Sequence, residues 1–304
     1  MYRRATAASA LVLLGLVALM SSTNEATERV FLAPQRVEQP MFINLKAAEP
    51  VPVDAISYTE WSLVYNAISM GIACMFTCSI FVWLQLPNVA MKYRSALTIS
   101  GLVTFIACYH YFRIFESWVA SYTVLKNADG SYTVAETGVP FNDAYRYVDW
   151  LLTVPLLLIE LILVMGLSAE ETKSRCWSLG TASAVMVALG YPGEISSDPT
   201  VKWVFWFLAM IPFCIVVNSL MTGLEDATRK QAKDVQGTIR SARMLTIVSW
   251  LTYPFVYMVK CVGIEGHLAE TIEQVGYSIS DIIAKAVFGV MIWKIADTKS
   301  RLGQ

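Results

Sequence analysis

An all-α membrane protein, a bundle of seven transmembrane helices, is the fold class that this 304-residue sequence predicts. Three observations predict it. Hydrophobic residues make up 56% of the chain and charged residues only 15%, with a mean hydropathy of +0.51. A soluble domain of that balance would expose far too much apolar surface. Seven apolar runs approach the ~20 residues that cross a bilayer. Several charges lie inside those runs, where they are rare unless they face a bundle interior. The net charge of -1 gives no support for nucleic-acid binding.

The elements follow in order. The chain opens Met1-Tyr-Arg-Arg4, continues through an apolar stretch from Leu11 to Met20 and reaches Ser21 and Ser22. Basic, apolar and small residues in that succession read as a secretory signal peptide over 1–22, with an uncleaved anchor as the alternative. Residues 23–57 are polar and contain Pro34, Pro40, Pro50 and Pro52, and read as a loose tail on the outer side. The helical domain covers 58–298, with spans at 59–86, 93–119, 141–167, 174–191, 201–222, 239–262 and 270–296, followed by an inner tail at 299–304. The 121–140 connection is the longest, and Tyr122-Thr-Val-Leu…Asp129-Gly130-Ser-Tyr-Thr-Val134 predicts a hairpin around an Asp-Gly turn. Cys74, Cys78, Cys108 and Cys214 lie inside apolar runs and read as small buried hydrophobes rather than disulfide staples.

Basic residues set the orientation. Arg229, Lys230, Lys233, Arg240 and Arg243 crowd the fifth connection, Lys92 and Arg94 the first, Lys173 and Arg175 the third, and Lys299 and Arg301 the tail. The opposite connections carry Glu136, Asp198, Glu265 and Glu270. The excess of Lys and Arg on one side puts the C-terminus in the cytoplasm and the N-terminus outside.

The charges within the spans carry the functional signal. Lys285 sits in mid-span seven, one turn after Asp281. An i,i+4 ion pair is the bland reading, but it gives no reason for either charge to be there. Span three holds Arg146, Asp149 and Glu160. Asp149 and Glu160 are about 16 Å apart along the axis and, eleven residues being close to three turns, share one face. From inside to outside the order is Glu160, Lys285, Asp149 with Asp281, then Arg146, the order of a proton relay. A structural ion-pair net explains every member except Glu160, which has no cation at its depth. A carboxyl in apolar surroundings holds its proton and can donate it. His110 in span two falls at the depth of Asp149, which makes a His110–Asp149 pair credible, although a lone histidine is more often a satisfied core residue. Arg113 and Glu116 read as an interfacial pair. Trp150, Trp250, Tyr253 and Pro254 are in mid-span rather than in interfacial belts. A flat cavity bounded by indole rings around a reactive lysine suits a conjugated chromophore.

Four segments carry a resemblance. They are Arg146-Tyr-Val-Asp-Trp-Leu-Leu-Thr-Val-Pro155, Gly190-Tyr-Pro-Gly-Glu194, Trp250-Leu-Thr-Tyr-Pro254, and Asp281-Ile-Ile-Ala-Lys285-Ala-Val-Phe-Gly289 with Ile292-Trp293. From about Tyr58 to Asp297 the chain resembles the microbial rhodopsins, and among them the proteorhodopsins. The resemblance implies all-trans retinal bound to Lys285 as a protonated Schiff base. It implies Asp149 as counterion and proton acceptor, Asp281 as second counterion, Arg146 as outer gate, Glu160 as cytoplasmic donor and His110 as partner of the acceptor. Trp150, Thr153, Leu157, Met186, Trp250, Tyr253 and Pro254 resemble the retinal pocket, and leucine at 157 goes with green absorption. The same family often forms pentamers or hexamers.

The function expected from this reading is a light-driven outward proton pump, a transporter and not a metabolic enzyme, in a plasma membrane or a eukaryotic endomembrane. A photosensor with the same chromophore is the alternative; Glu160 argues against it, because sensory relatives usually replace the donor with a neutral residue. A sodium or chloride pump is disfavoured by Asp149 and Thr153, and a receptor without retinal would need another use for Lys285. Glu194 and Glu265 are candidates for proton release. Trp203 or Trp206 is expected to fill the place where some relatives seat a carotenoid antenna, so no antenna is expected.

Overall fold

The computed structural model describes residues 55–264 and 266–303, all within one compact unit. The predicted signal peptide, most of the predicted tail, and Glu265 lie outside the described residues. Seven long helices run in sequence: α1 Tyr58–Leu84, α2 Met91–Ser121, α3 Ala144–Met165, α4 Ala169–Glu194, α5 Pro199–Asn218, α6 Lys233–Met258 and α7 Gly266–Arg301. Six are long and apolar enough to cross a membrane by length and composition. The seventh, α4, is diluted by Ser178, Gly180, Thr181 and Ser183.

Local chemistry sets the ends. Ser57 and Glu60 form a reciprocal capping box that starts α1, the Ser57 side chain accepting from Glu60 N while Glu60 accepts from Ser57 N. Ser168 caps α4 by accepting from Glu171 N at 3.2 Å, so this helix begins five residues before the predicted span. Gly166 closes α3 with φ 65° and ψ 46°, a left-handed conformation that costs glycine least. The fifth span ends in a π turn, Ser219–Gly223, before a short helix at Glu225–Arg229.

Between α2 and α3, β1 (Tyr122–Lys126) pairs antiparallel with β2 (Tyr132–Glu136), the hairpin predicted around Asp129-Gly130. Its turn spans 127–131, with Gly130 at φ 85° and Asp129 Oδ1 accepting from both the N–H and the hydroxyl of Ser131. Tyr132 stacks on Tyr58 at 4.5 Å between centroids, and Val134 packs with Ile56, Trp118 and Tyr122. The hairpin is therefore anchored on α1 and α2. Large apolar side chains such as Phe76, Phe105, Phe207 and Phe255 point outward, as lipid-facing positions do. All six cysteines are free thiols.

Two features place the functional residues. Arg146, Asp149, Thr153, Leu157 and Glu160 are all buried and form one inward stripe of α3, as spacings of three, seven, eleven and fourteen require. In α7 the regular helix gives way to a π turn over Ile282–Val287, which contains Lys285. Such widened turns recur at functional sites, because they re-aim a side chain and loosen the local hydrogen-bond ladder.

Candidate functional site

Lys285 is 1% exposed, and its ammonium lies between two carboxylates. Nζ donates to Asp149 Oδ2 at 2.6 Å and to Asp281 Oδ1 at 2.7 Å. Asp281 comes from its own helix and Asp149 from α3, at the same depth. Arg146 reaches Asp281 Oδ2 at 3.5 Å. Two cations and two anions give the centre no net charge, which is how ionised groups are tolerated in a bundle interior.

The two carboxylates differ sharply. Asp281 Oδ1 accepts from Lys285, from Tyr253 OH at 2.6 Å and from Trp150 Nε1 at 3.0 Å, and Oδ2 accepts from Tyr111 OH at 2.9 Å. Asp149 has only the lysine: its Oδ1 is buried without a hydrogen-bond partner. Thus one carboxylate is saturated with donors and the other keeps a free oxygen.

On the side toward the hairpin, Arg146 donates to Tyr111 OH at 3.1 Å and to Gln274 Oε1 at 2.8 Å, and its guanidinium lies over the rings of Tyr111 and Tyr277. Beyond it, the carboxylates of Asp143, Glu194 and Glu273 lie within 4.8 Å of one another. Glu194 accepts from Tyr147 OH at 3.0 Å and Tyr277 OH at 3.3 Å, while Lys260 pairs with Glu273 at 2.5 Å. Burial, and after it the Glu273 charge, push the Asp143 carboxyl above its ordinary value. On the other side of the lysine, Glu160 is fully buried and neither oxygen has a partner, as its isolation in the sequence suggested.

Beside Lys285 opens a cavity between α3, α4, α5, α6 and α7, with an empty volume of about 750 Å³, its mouth included. Among the described residues, Lys285 is the one charged side chain that lines it. Trp150, Leu157, Met186, Trp250, Tyr253 and Pro254 line it as predicted. The edge of Trp150 meets both Tyr253 and Tyr277 at 5.0 Å, making a rigid aromatic end beside the ammonium.

Two expectations need correction. Thr153 does not line the cavity; its hydroxyl donates to the backbone oxygen of Asp149 at 2.8 Å, the usual satisfaction of a buried threonine in a helix. His110 forms no hydrogen bond with Asp149: its Nδ1 is buried without a partner and its ring lies edge-on to Tyr109, while Asp149 turns Oδ2 to the lysine. Trp206 borders the cavity, and its Nε1 ties α5 to α6 through Pro254 O at 3.1 Å. The Arg113–Glu116 pair forms at 3.0 Å and is solvent-exposed.

The sequence of this chain matches the bacteriorhodopsin-like protein family over residues 63–299. The chain belongs to that family. Proteins of the bacteriorhodopsin-like family are transporters rather than metabolic enzymes and hold retinal through a Schiff base to a lysine. Among its bacteriorhodopsin-like relatives, the green-light absorbing proteorhodopsin of Gamma-proteobacterium EBAC31A08 is 27% identical over 239 residues, 78% of this chain and 88% of that protein. The blue-light absorbing proteorhodopsin of Gamma-proteobacterium Hot 75m4 is 28% identical over 230 residues, 75% and 84% of the two chains. The crystal structure of xanthorhodopsin, described as a light-driven ion pump with dual chromophore, superposes with a TM-score of 0.77 at 43% identity, covering 82% of this chain and 98% of that one. A thermophilic rhodopsin gives the same TM-score and coverage at 41% identity. The protein is thus an integral, multi-pass, retinal-binding microbial rhodopsin close to the proteorhodopsins. Its cavity suits retinal: apolar, walled by indoles, and met by one amine with anionic partners.

Several residues of the site were not read from sequence. Gln274 and Tyr277 lie seven and four residues before Asp281, on the face of α7 that carries it, so a signal for them was available. Tyr111, Tyr147, Glu273 and Lys260 gave none, because their roles depend on contacts between helices.

Proposed function

We propose that the protein is a light-driven pump that moves protons outward, and that Lys285 is the lysine that carries retinal. The observation that carries the proposal is the unequal treatment of the two carboxylates at Lys285 Nζ, with an unpaired Glu160 on the opposite side. When bound, retinal supplies a light-driven isomerisation that changes the direction in which the Nζ proton points.

The chain's own groups then have distinct tasks. Asp149 Oδ2 is one hydrogen bond from Nζ and is the acceptor, since a proton arriving there replaces a single donor. Asp281 is the fixed anion, because four donors and Arg146 would have to yield before it took a proton. Glu160, without a cation, keeps its proton until Nζ needs one. Arg146 and Gln274 separate Asp149 from the cluster of Asp143, Glu194 and Glu273, the carboxylates that would pass the proton outward. The Trp150, Tyr253 and Tyr277 rings keep water from the lysine on the cavity side.

Direction follows from charge. Arg229, Lys230, Lys233 and Arg240 mark the end that holds Glu160 as cytoplasmic, so a proton that moves from Glu160 towards Asp149 moves outward. The pump reading also agrees with xanthorhodopsin, a light-driven ion pump 43% identical to this chain. Cells that make the protein with retinal are expected to acidify their medium in light, with the signal lost on adding a protonophore and absent in Lys285→Ala. A coloured protein that leaves the medium unchanged, or makes it alkaline, would overturn the assignment.

A further inference from the structure

The hairpin of β1 and β2 has no part in the chemistry at Lys285, yet its base is fastened to the helix that carries that lysine. Tyr122 and Glu136 are directly opposite in the ladder, so their side chains leave one face of the hairpin together. His267 and Glu270 are three residues apart at the start of α7 and share a face of it. The two pairs meet. Tyr122 OH donates to Glu270 Oε2 at 3.2 Å, and the Tyr122 ring stands edge-on to the imidazole at 6.4 Å between centroids. His267 Nε2 lies 3.6 Å from Glu136 Oε1, and Nδ1 lies 3.8 Å from Glu270 Oε2. Each strand thus sends one side chain to α7. Behind them Thr137 holds the hairpin to the end of α2, its Oγ1 donating to Ala120 O at 2.6 Å and its N to Ser121 O at 3.0 Å.

The imidazole is the unsatisfied member of this group. Both ring nitrogens face carboxylate oxygens, and both gaps exceed hydrogen-bond length. Nδ1 is buried without a hydrogen-bond partner. A neutral imidazole has one N–H and one lone pair, so one of its nitrogens must turn a lone pair toward an anion. The imidazolium has an N–H for each carboxylate. Other charged groups nearby do not compete for the ring. Glu60 of α1 acts on it through charge alone, its Oε2 being taken by the N–H and hydroxyl of Ser57. Lys260 pairs with Glu273 and bears on Glu270 rather than on the imidazole. Histidine is the side chain that ordinarily changes charge between about pH 5 and 8.

We propose that His267 is a pH-operated strap: its protonation closes the base of the hairpin onto α7, the ring bridging Glu136 of β2 and Glu270, and its deprotonation releases β2. The proton comes from bulk water, which reaches the ring past the exposed Glu136 carboxylate. An N–H bond forms at the imidazole and the two carboxylates keep their charge. The Tyr122–Glu270 hydrogen bond needs no change of charge, so β1 stays in place while β2 tightens or loosens. The strap therefore weakens as pH rises. Its closure is independent of what Lys285 does. Its use to the cell rests on the outward-pump reading, under which this end of the bundle faces the side that acidifies in light, and the strap tightens as protons accumulate.

The test is hydrogen–deuterium exchange of the full-length protein with retinal, in lipid and in the dark, at about pH 5.5 and about pH 8. Rates are read as protection factors, so that the intrinsic pH dependence of exchange cancels. Amides of β2 are expected to be about threefold better protected at the lower pH, the scale of a partly exposed ion pair. His267→Gln and Glu136→Gln are each expected to abolish that difference and to leave the visible spectrum unchanged. Equal protection of β2 at both pH values in the unaltered protein would overturn the strap. So would a difference that survives in His267→Gln, or one matched in size by amides of α3. Because the measurement is made without light, a protein that fails to acidify its medium can still show the strap, and one that pumps can lack it.

Discussion

Asp149 and Asp281 touch the same ammonium but are built to do different things. The Oδ atoms of Asp281 collect Tyr111, Trp150, Tyr253 and Lys285, while Asp149 Oδ1 collects nothing. Asp281→Asn would turn an amide N–H toward existing donors, and breaking a buried ion pair by removing one member costs about 3–5 kcal/mol. We expect that variant to bleach at a clearly lower temperature than Asp149→Asn. Asp149→Asn is expected to fold and to absorb further to the red, because the positive charge at Nζ loses its nearest anion. Lys285→Ala is expected to give a folded, colourless protein; a visible band in it would refute the attachment. Asp143 behaves differently. Its carboxyl is pushed upward by burial, so it binds a proton more readily folded than unfolded, and its ionisation weakens the fold as pH rises through the raised value. Asp143→Asn should therefore raise the melting temperature in alkaline buffer and leave it unchanged well below about pH 4, where the unfolded carboxyl is protonated as well. An equal gain at both extremes would show that the aspartate charge is not the cause.

At the scale of elements, α3 and α7 do most of the positioning, and they were legible to different degrees. That Asp149 and Glu160 share one face of α3 follows from the helix period, and Arg146 and Leu157 lie on the same buried stripe. The two charges of α7 were also plain, but the π turn around Lys285 was not, since Ile282-Ile-Ala-Lys-Ala-Val287 contains no glycine or proline to mark it. That segment packs against α1, α2 and α6. His110 shows the same limit from the other side: matching depth does not fix the direction of a ring. Thr153 was misplaced because a buried hydroxyl in a helix prefers a backbone carbonyl to a cavity. The hairpin, by contrast, was local and therefore readable. Gly130 at φ 85° has no atom near a Cβ, so Gly130→Ala meets strain without a clash and should destabilise the turn by about 1–2 kcal/mol. Faster amide exchange in β1 and β2 with an unchanged absorption spectrum would bear this out, whereas a shifted spectrum would mean that the hairpin acts on the lysine site.

Over the whole molecule, polar groups run in one file through an apolar bundle: Glu160, Lys285 with its two carboxylates, Arg146 with Gln274, then the three carboxylates near the hairpin. The seven-helix architecture follows from composition and span length. The file depends on α3, α4 and α7 meeting, so the mid-span charges Arg146, Asp149, Glu160, Asp281 and Lys285 were legible in the sequence, while Gln274, Asp143 and Glu273 were not. The central claim is that Asp149, with its free oxygen, takes the proton from Lys285 Nζ while Asp281 does not. Time-resolved infrared difference spectroscopy in the carboxyl region tests it most directly. A C=O band is expected to rise as Nζ loses its proton, to shift in Asp149→Glu and to stay in place in Asp281→Glu. A band that shifts in Asp281→Glu and holds in Asp149→Glu would contradict the account.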